Sequence, residues 1–178
     1  MRHLFLRKNA FAHFDIQLFR LRLNEHLHRW GILYVFIALA GAWFHLNYAF
    51  AINVSPSLPH RMYLIHKHEQ PQRGQYAAFR WTGGGPYPAG VTFVKVLAGV
   101  PGDRIERLER DFYVNGAPVG RAKPASRQGR PLDPGPTGTL PAGRYYVSAA
   151  HPDSLDSRYA ITGWITQDQI IGRAHVLF

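Results

Sequence analysis

The chain contains no cysteine. Disulfides and thiolate chemistry are therefore excluded, and the redox character of its compartment is left open. It also has no charged residue between Arg29 and Arg61, although it carries 21 Lys+Arg and 11 Asp+Glu in all. A third thing it lacks is a compact Lys/Arg run interleaved with aromatic residues. Residues 1–29 hold six basic residues (Arg2, Arg7, Lys8, Arg20, Arg22, Arg29) against Asp15 and Glu25, and the rest of the +10 is scattered among acids downstream. Such scatter does not make a nucleic-acid footprint, so no nucleic-acid partner is expected. There are no internal repeats. A length of 178 residues suits one modest domain with an appendage, and such a domain can bury a real core.

The uncharged interval reads "WGILYVFIALAGAWFHLNYAFAI" from Trp30 to Ile52. At ~1.5 Å rise per residue this spans the ~30 Å hydrocarbon core of a bilayer. Trp30 at one end, with Trp43 and Tyr48 towards the other, suits residues that prefer membrane interfaces. His45 and Asn47 weaken the last turns. A buried helix of a soluble protein is the first alternative, but one so uniformly apolar is out of proportion to so small a chain. A cleaved signal peptide is the second, with "AFA" at Ala49–Ala51 resembling a small-x-small cleavage site. The basic segment ahead of the apolar run is long for a signal peptide, which favours a retained anchor. The expected division is a basic cytoplasmic segment over 1–29, a transmembrane helix over 30–52 and an extracytoplasmic domain over 53–178. The excess of positive charge before the apolar run sets that orientation. Phe11, Phe14, Leu18 and Leu21 are spaced like the apolar face of a helix lying on the inner surface.

Beyond Ile52 the chain changes to short β-type runs separated by turn signals. "RMYLIHK", "GQYAAFRW", "VTFVKVLAG", "DFYVNGAPV", "GRYYVSAA" and "IIGRAHVLF" are the candidate strands, and Asn115-Gly116 is a strong hairpin signal. The stretch from Lys123 to Gly143 is rich in Pro and Gly and reads as an extended loop. The expected architecture is mainly β, one antiparallel domain on one N-terminal transmembrane helix.

Three patches offer chemistry. "NVSPSLPHRMY", Asn53–Tyr63, holds two serines and no acidic residue. In "VTFVKVLAGVPGDRI" a strand would set Phe93, Lys95 and Leu97 on one face. Lys95 is then either an ordinary edge charge or a desolvated amine whose lowered pKa makes it a general base. "HPDSLDSRY", His151–Tyr159, reads locally as a turn cluster, an ion pair or a supporting network. A nucleophilic serine needs a proton acceptor, and lysine can replace the histidine and aspartate of a triad.

Serine, lysine on an apolar strand, then a Ser/Asp/Arg segment is the order found in type I signal peptidases. "SLP" followed by Tyr63 resembles their serine box, "FVKVLAGVPGDRI" their lysine box, "SLDSRY" their C-terminal box, and "IIGRA" the segment that commonly follows. The form Ser-x-Pro-x-x-x-Tyr is more similar to the conjugative-transfer peptidases that mature pilin precursors than to housekeeping enzymes. The resemblance implies an antiparallel signal-peptidase-like β domain, a serine endopeptidase of the cytoplasmic membrane and a precursor protein as substrate. It implies no cofactor and no metal. Ser57 would be the nucleophile and Lys95 its base. Ser154 would orient the lysine amine, Asp156 and Arg158 would brace the site, and Ser55 would help an oxyanion hole beside the backbone N–H of Ser57. The proline at 56 removes an N–H that this scheme does not use.

Three departures stand out. Arg61 occupies a position where many relatives have glycine, Val96 follows the lysine where arginine is common, and "AHPD" replaces a glycine- and asparagine-rich opening. His66, His68 and His151 form a conceivable ligand set, but histidines are more often polar surface residues and no metal is expected from them. Three rival readings remain: a housekeeping leader peptidase, a catalytically silent pilus-assembly protein, and a membrane-tethered DNA contact.

Overall fold

A computed structural model describes the backbone of residues 8–55 and 57–178, and the side chains of that range from residue 16 onward. Arg2, Arg7, the side chains of Phe11 and Phe14, and Pro56 lie outside the described residues. The chain divides into two compact units, residues 1–46 and 47–178.

The first unit is helical over its described residues. Helix α1, Lys8–Asn47, is continuous through the apolar run and extends well upstream of it. Its segment Ile16–Asn47 is long and apolar enough to cross a membrane, by length and composition. The helix ends five residues before the expected boundary at residue 52. Tyr48–Ile52 forms strand β1 instead, antiparallel to β2 (Met62–Lys67), with Ala49 opposite Ile65 and Ala51 opposite Tyr63. The reason lies in its alternation. Ala49 and Ala51 pack on a buried cluster, whereas Phe50 and Ile52 stay exposed. Hydropathy alone does not separate such a strand from the end of an apolar helix.

The second unit is built from two antiparallel sheets. After β1 and β2 come β3 (Tyr76–Arg80), β4 (Thr92–Gly99), β5 (Arg104–Leu108), β6 (Asp111–Val114), β7 (Ala117–Arg121), β8 (Gly138–Thr139), β9 (Arg144–Ser148), β10 (Ile165–Thr166) and β11 (Ile170–Val176). The larger sheet has the order β1-β2-β11-β3-β4-β9-β10, and the smaller one β7-β6-β5-β8. The C-terminal strand β11 thus lies between β2 and β3. The expected hairpin forms between β6 and β7, where Asn115 and Gly116 take φ of 49° and 79° as its tight turn requires.

Both faces of the larger sheet are covered at its centre. Ala77 and Phe79 of β3 join Trp81, Leu97, Val147 and Ile165 on one side, while Ala78 joins Tyr63, Ile65 and Ala174 on the other. The smaller sheet has its own cluster around Ile105, Phe112, Leu140 and Tyr146. Within this frame Phe93, Lys95 and Leu97 share one face of β4, and Lys95 stands opposite Ala77 of β3. An amine placed there is desolvated by the fold itself.

Candidate active site

The segment after β9 makes the most heavily bonded polar cluster of the second unit. Asp156 and Arg158 are both buried, at 0% and 2% exposure, and they pair in a two-pronged geometry. Arg158 Nε donates to Asp156 Oδ1 and a terminal nitrogen donates to Oδ2, both at 2.8 Å. The remaining donors reach the carbonyls of Arg121, Ala149 and His151 at 3.1–3.2 Å. Asp156 also accepts the backbone N–H groups of Ala149 and Arg158. A buried pair is tolerable only when its remaining donors and acceptors are matched, and here they are. Gly120 of β7 makes room for it. A Cβ there would lie 2.7 Å from the Arg158 guanidinium, and the local φ of 123° is one that side-chain-bearing residues rarely adopt. Ser157 adds a second tie by accepting Val147 N–H at 3.0 Å. These bonds fix the backbone on either side of Ser154.

Ser154 is itself buried, and its hydroxyl accepts a hydrogen bond from Lys95 Nζ at 2.8 Å. Lys95 is 6% exposed, and its amine lies 5.8 Å from the centre of the Phe93 ring. Burial pushes its pKa down to about 8; Asp156 opposes that shift and Arg158 adds to it. The cause is the one expected for an ammonium removed from water. At pH 7 a fall from 10.5 to 8 raises the neutral fraction of an amine roughly 300-fold, from ~0.03% to ~10%.

The opening serine stretch is held differently. Asn53 donates from its amide to the carbonyls of Leu58 and His60, each at 3.1 Å, and so closes residues 53–60 into a small loop. Its Oδ1 accepts from Ser55 N–H and Ser55 Oγ. Ser55 Oγ in turn lies 2.9 Å from Ser57 Oγ. A carboxamide oxygen can only accept, so the Ser55 proton goes to Asn53 and Ser57 donates to Ser55. Among the described residues no hydrogen bond joins Ser57 to Lys95. Both nevertheless line one cleft of about 670 Å³, together with Ser55, Phe93, Ser154 and Tyr159.

The Lys123–Gly143 loop contributes to that cleft, a question the sequence leaves open. Lys123, Ala125–Gln128 and Arg130–Leu132 line it. Arg110 clamps the base of this strap by donating to the carbonyls of Ala122 and Lys123 at 2.9 and 2.7 Å and to that of Leu132. Asp153 holds its body by pairing with Lys123 and with Arg127, the latter at 2.6 Å. Farther along, Gly138–Thr139 leaves the loop to form β8 beside β5.

The departures from the expected motifs now have physical explanations. Arg61 is exposed and is not among the residues with positive φ, so the turn holds a side chain without strain. Val96 packs against the cluster around Tyr63 and Ile65. In "AHPD", His151 Nδ1 accepts Asp153 N–H at 3.1 Å and the His151 carbonyl accepts Ser154 N–H at 3.0 Å. His66, His68 and His151 are not brought together. His151 lines the cleft, and His68 is exposed at a turn beyond β2. Arg110 escapes sequence reading, as do the partners of Asn53 and Asp153, because each acts on backbone or charge supplied by loop closure.

A family model for "Signal peptidase, peptidase S26" matches residues 23–178. The chain belongs to this family. The peptidase is therefore a hydrolase with a signal-peptidase function, acting on precursor proteins, and its apolar helix fits membrane anchoring. No curated protein matches it. Among solved structures, a signal peptidase I from Enterococcus faecalis V583 is similar at 24% identity, covering 62% of this chain and 98% of that one with a TM-score of 0.39.

Proposed function

We propose that the peptidase is a serine endopeptidase in which Ser57 is the nucleophile and Lys95 the general base. The observation that carries this reading is the buried Lys95 amine, held by Ser154 and lining the same cleft as Ser57. Ser57 Oγ attacks the scissile carbonyl while its proton passes to the neutral Lys95 amine. The tetrahedral intermediate collapses, Lys95 returns the proton to the departing amine, and the acyl group remains on Ser57. Water then attacks the ester, losing a proton to Lys95, and a carboxylate product leaves as Ser57 is regenerated. The Ser57 N–H is one donor to the oxyanion. Ser55 is the second, once its hydroxyl leaves Asn53. Asp156 and Arg158 position the segment bearing Ser154 and do not touch the reacting atoms.

The substrate we propose is an exported precursor, a conjugative pilin precursor in particular, cleaved on the extracytoplasmic side of the cytoplasmic membrane. The Ser57-x-Pro59-x-x-x-Tyr63 form supports the pilin reading, and the basic segment ahead of the apolar run supports the orientation. Preference for a pilin precursor over unrelated secreted precursors by the purified full-length protein tests the substrate; equal processing of all of them would make it a general leader peptidase.

The chemistry is tested by a pH–rate profile for precursor cleavage. The active amine is the deprotonated form, so kcat/KM should rise tenfold per pH unit below about 8 and level off above it. Lys95→Ala should remove both the activity and that rise. Full processing by Ser57→Ala or Lys95→Ala would overturn the assignment.

A further inference from the structure

Three side chains with metal-ligating atoms converge on the β2–β11 pair. His66 of β2 stands opposite Arg173 of β11, and Leu64 stands opposite His175, so His66 and His175 are diagonal neighbours on one face. Beyond β2 the backbone turns at His68, with φ of 74°. The turn is closed by Glu69 N–H donating to the His66 carbonyl, and by the Glu69 carbonyl accepting Arg173 N–H. Glu69 is thereby placed over both rings. Its Oε2 lies 2.9 Å from His66 Nδ1 and 2.9 Å from His175 Nε2, while Oε1 accepts Arg173 at 2.8 Å. The three potential ligand atoms all lie within 4.8 Å of one another, the one such group among the described residues.

We propose that His66, Glu69 and His175 bind a divalent transition-metal cation of the zinc class, with water in the fourth position. A tetrahedral zinc with arms of ~2.0–2.2 Å sets its ligand atoms about 3.4 Å apart. Glu69 Oε2 must therefore retreat about half an ångström from each nitrogen, and the two histidine nitrogens, within 4.8 Å of each other, must draw together toward that spacing, by side-chain movement. Two imidazoles and a carboxylate are a suitable donor set for a borderline cation. Without metal each imidazole donates an N–H to the acceptor-only Glu69 carboxylate, so binding the cation moves that proton to the other ring nitrogen and frees the lone pair.

Two contacts orient these ligands from outside. The Tyr48 ring of β1 stacks on His66, with centroids 4.8 Å apart and planes 17° from parallel. Arg173 occupies the carboxylate oxygen that the metal would not use, as partners beyond the ligands do in metal sites generally. Its positive charge also opposes the cation. A bound metal would fasten the C-terminal strand to β2 and the turn after it, apart from the serine and lysine chemistry.

The test uses untagged full-length protein in detergent, stripped with chelator and titrated with Zn²⁺ and with Co²⁺. The expected result is one saturable equivalent, a visible cobalt spectrum of four-coordinate intensity, and a zinc-dependent rise in Tm. His66→Ala and His175→Ala should each weaken binding at least tenfold, in line with losing a ligand. Absence of such a site, or unchanged affinity in both histidine variants, overturns the proposal by assigning the ion to other histidines. Should those variants not fold, Glu69→Gln decides: zinc must no longer raise its Tm.

Discussion

The lysine side and the serine side of the cleft are held by opposite kinds of structure. Lys95 stands in the middle of a central strand, and the segment behind it is pinned by a buried Asp156–Arg158 pair that makes four bonds to backbone at Arg121, Ala149 and His151. Ser57 stands in a short loop closed by one residue, Asn53, with only a hydroxyl relay from Ser57 through Ser55 to Asn53. The difference fits the proposed roles. Both groups are buried, at 6% and 8% exposure, but a proposed base needs a fixed, water-excluded place, whereas a proposed nucleophile is served by a looser tether.

The largest expected effect lies where both sides meet. Ser57→Ala should lower precursor cleavage by at least ~10⁴-fold, with Ser55 unable to replace it, as measured by product release under single-turnover conditions. Substantial residual cleavage would place the nucleophile elsewhere. Lys95→Met should be comparably inactive and yet more stable. A lysine whose folded pKa is about 8 and unfolded pKa 10.5 penalises the fold most below pH 8, and the penalty fades as pH approaches 10.5. Denaturant midpoints should therefore show a gain of up to about 3 kcal/mol at pH 7 that shrinks under alkaline conditions. A loss of stability at pH 7 would mean that the amine is better solvated than its burial indicates.

The comparison sharpens with the two helper serines. If Ser55 turns to the oxyanion, Ser55→Ala should cost ~10²–10³ in kcat with KM little changed. A drop of only a few-fold would confine Ser55 to holding Ser57 at rest. Ser154→Ala removes a hydrogen bond to a charged group, worth ~1.5–3 kcal/mol, so kcat should fall ~10–100-fold and the midpoint of the pH–rate profile should move. An unmoved midpoint would show that Ser154 does not set the state of Lys95. The smallest effect belongs to the strap. Asp153→Asn frees Lys123 and Arg127, and a few-fold rise in KM with kcat nearly unchanged is expected from peptide kinetics.

Much of this was legible before any coordinates, for reasons specific to each element. The apolar helix, the Asn115-Gly116 hairpin and the shared face of Phe93, Lys95 and Leu97 are local patterns, and the structure keeps them. The strand Tyr48–Ile52 was hidden because an apolar run continues through it, and only pairing with β2 separates it from the helix. Strands β8 and β10 are two residues each and exist only through their neighbours β5 and β9. Within the cleft, Lys95 and Ser154 stand 59 residues apart and still bond; no local pattern points to that pairing, only the family resemblance. The strap's attachment to Asp153 had no such guide, since surface charges pair according to which loops the fold brings near.

The burial of Lys95 has a consequence for a newly made copy. On an unfolded chain the lysine is solvated and charged at neutral pH, and so cannot accept a proton from serine. With Lys95 as the base, proteolytic power appears only once β4 is enclosed and the segment around Ser154 is locked. Arg158 extends that condition to the smaller sheet through the Arg121 carbonyl of β7. On the proposed roles the enzyme carries its own safety catch, and an immature copy stays harmless to neighbouring chains until folding is complete.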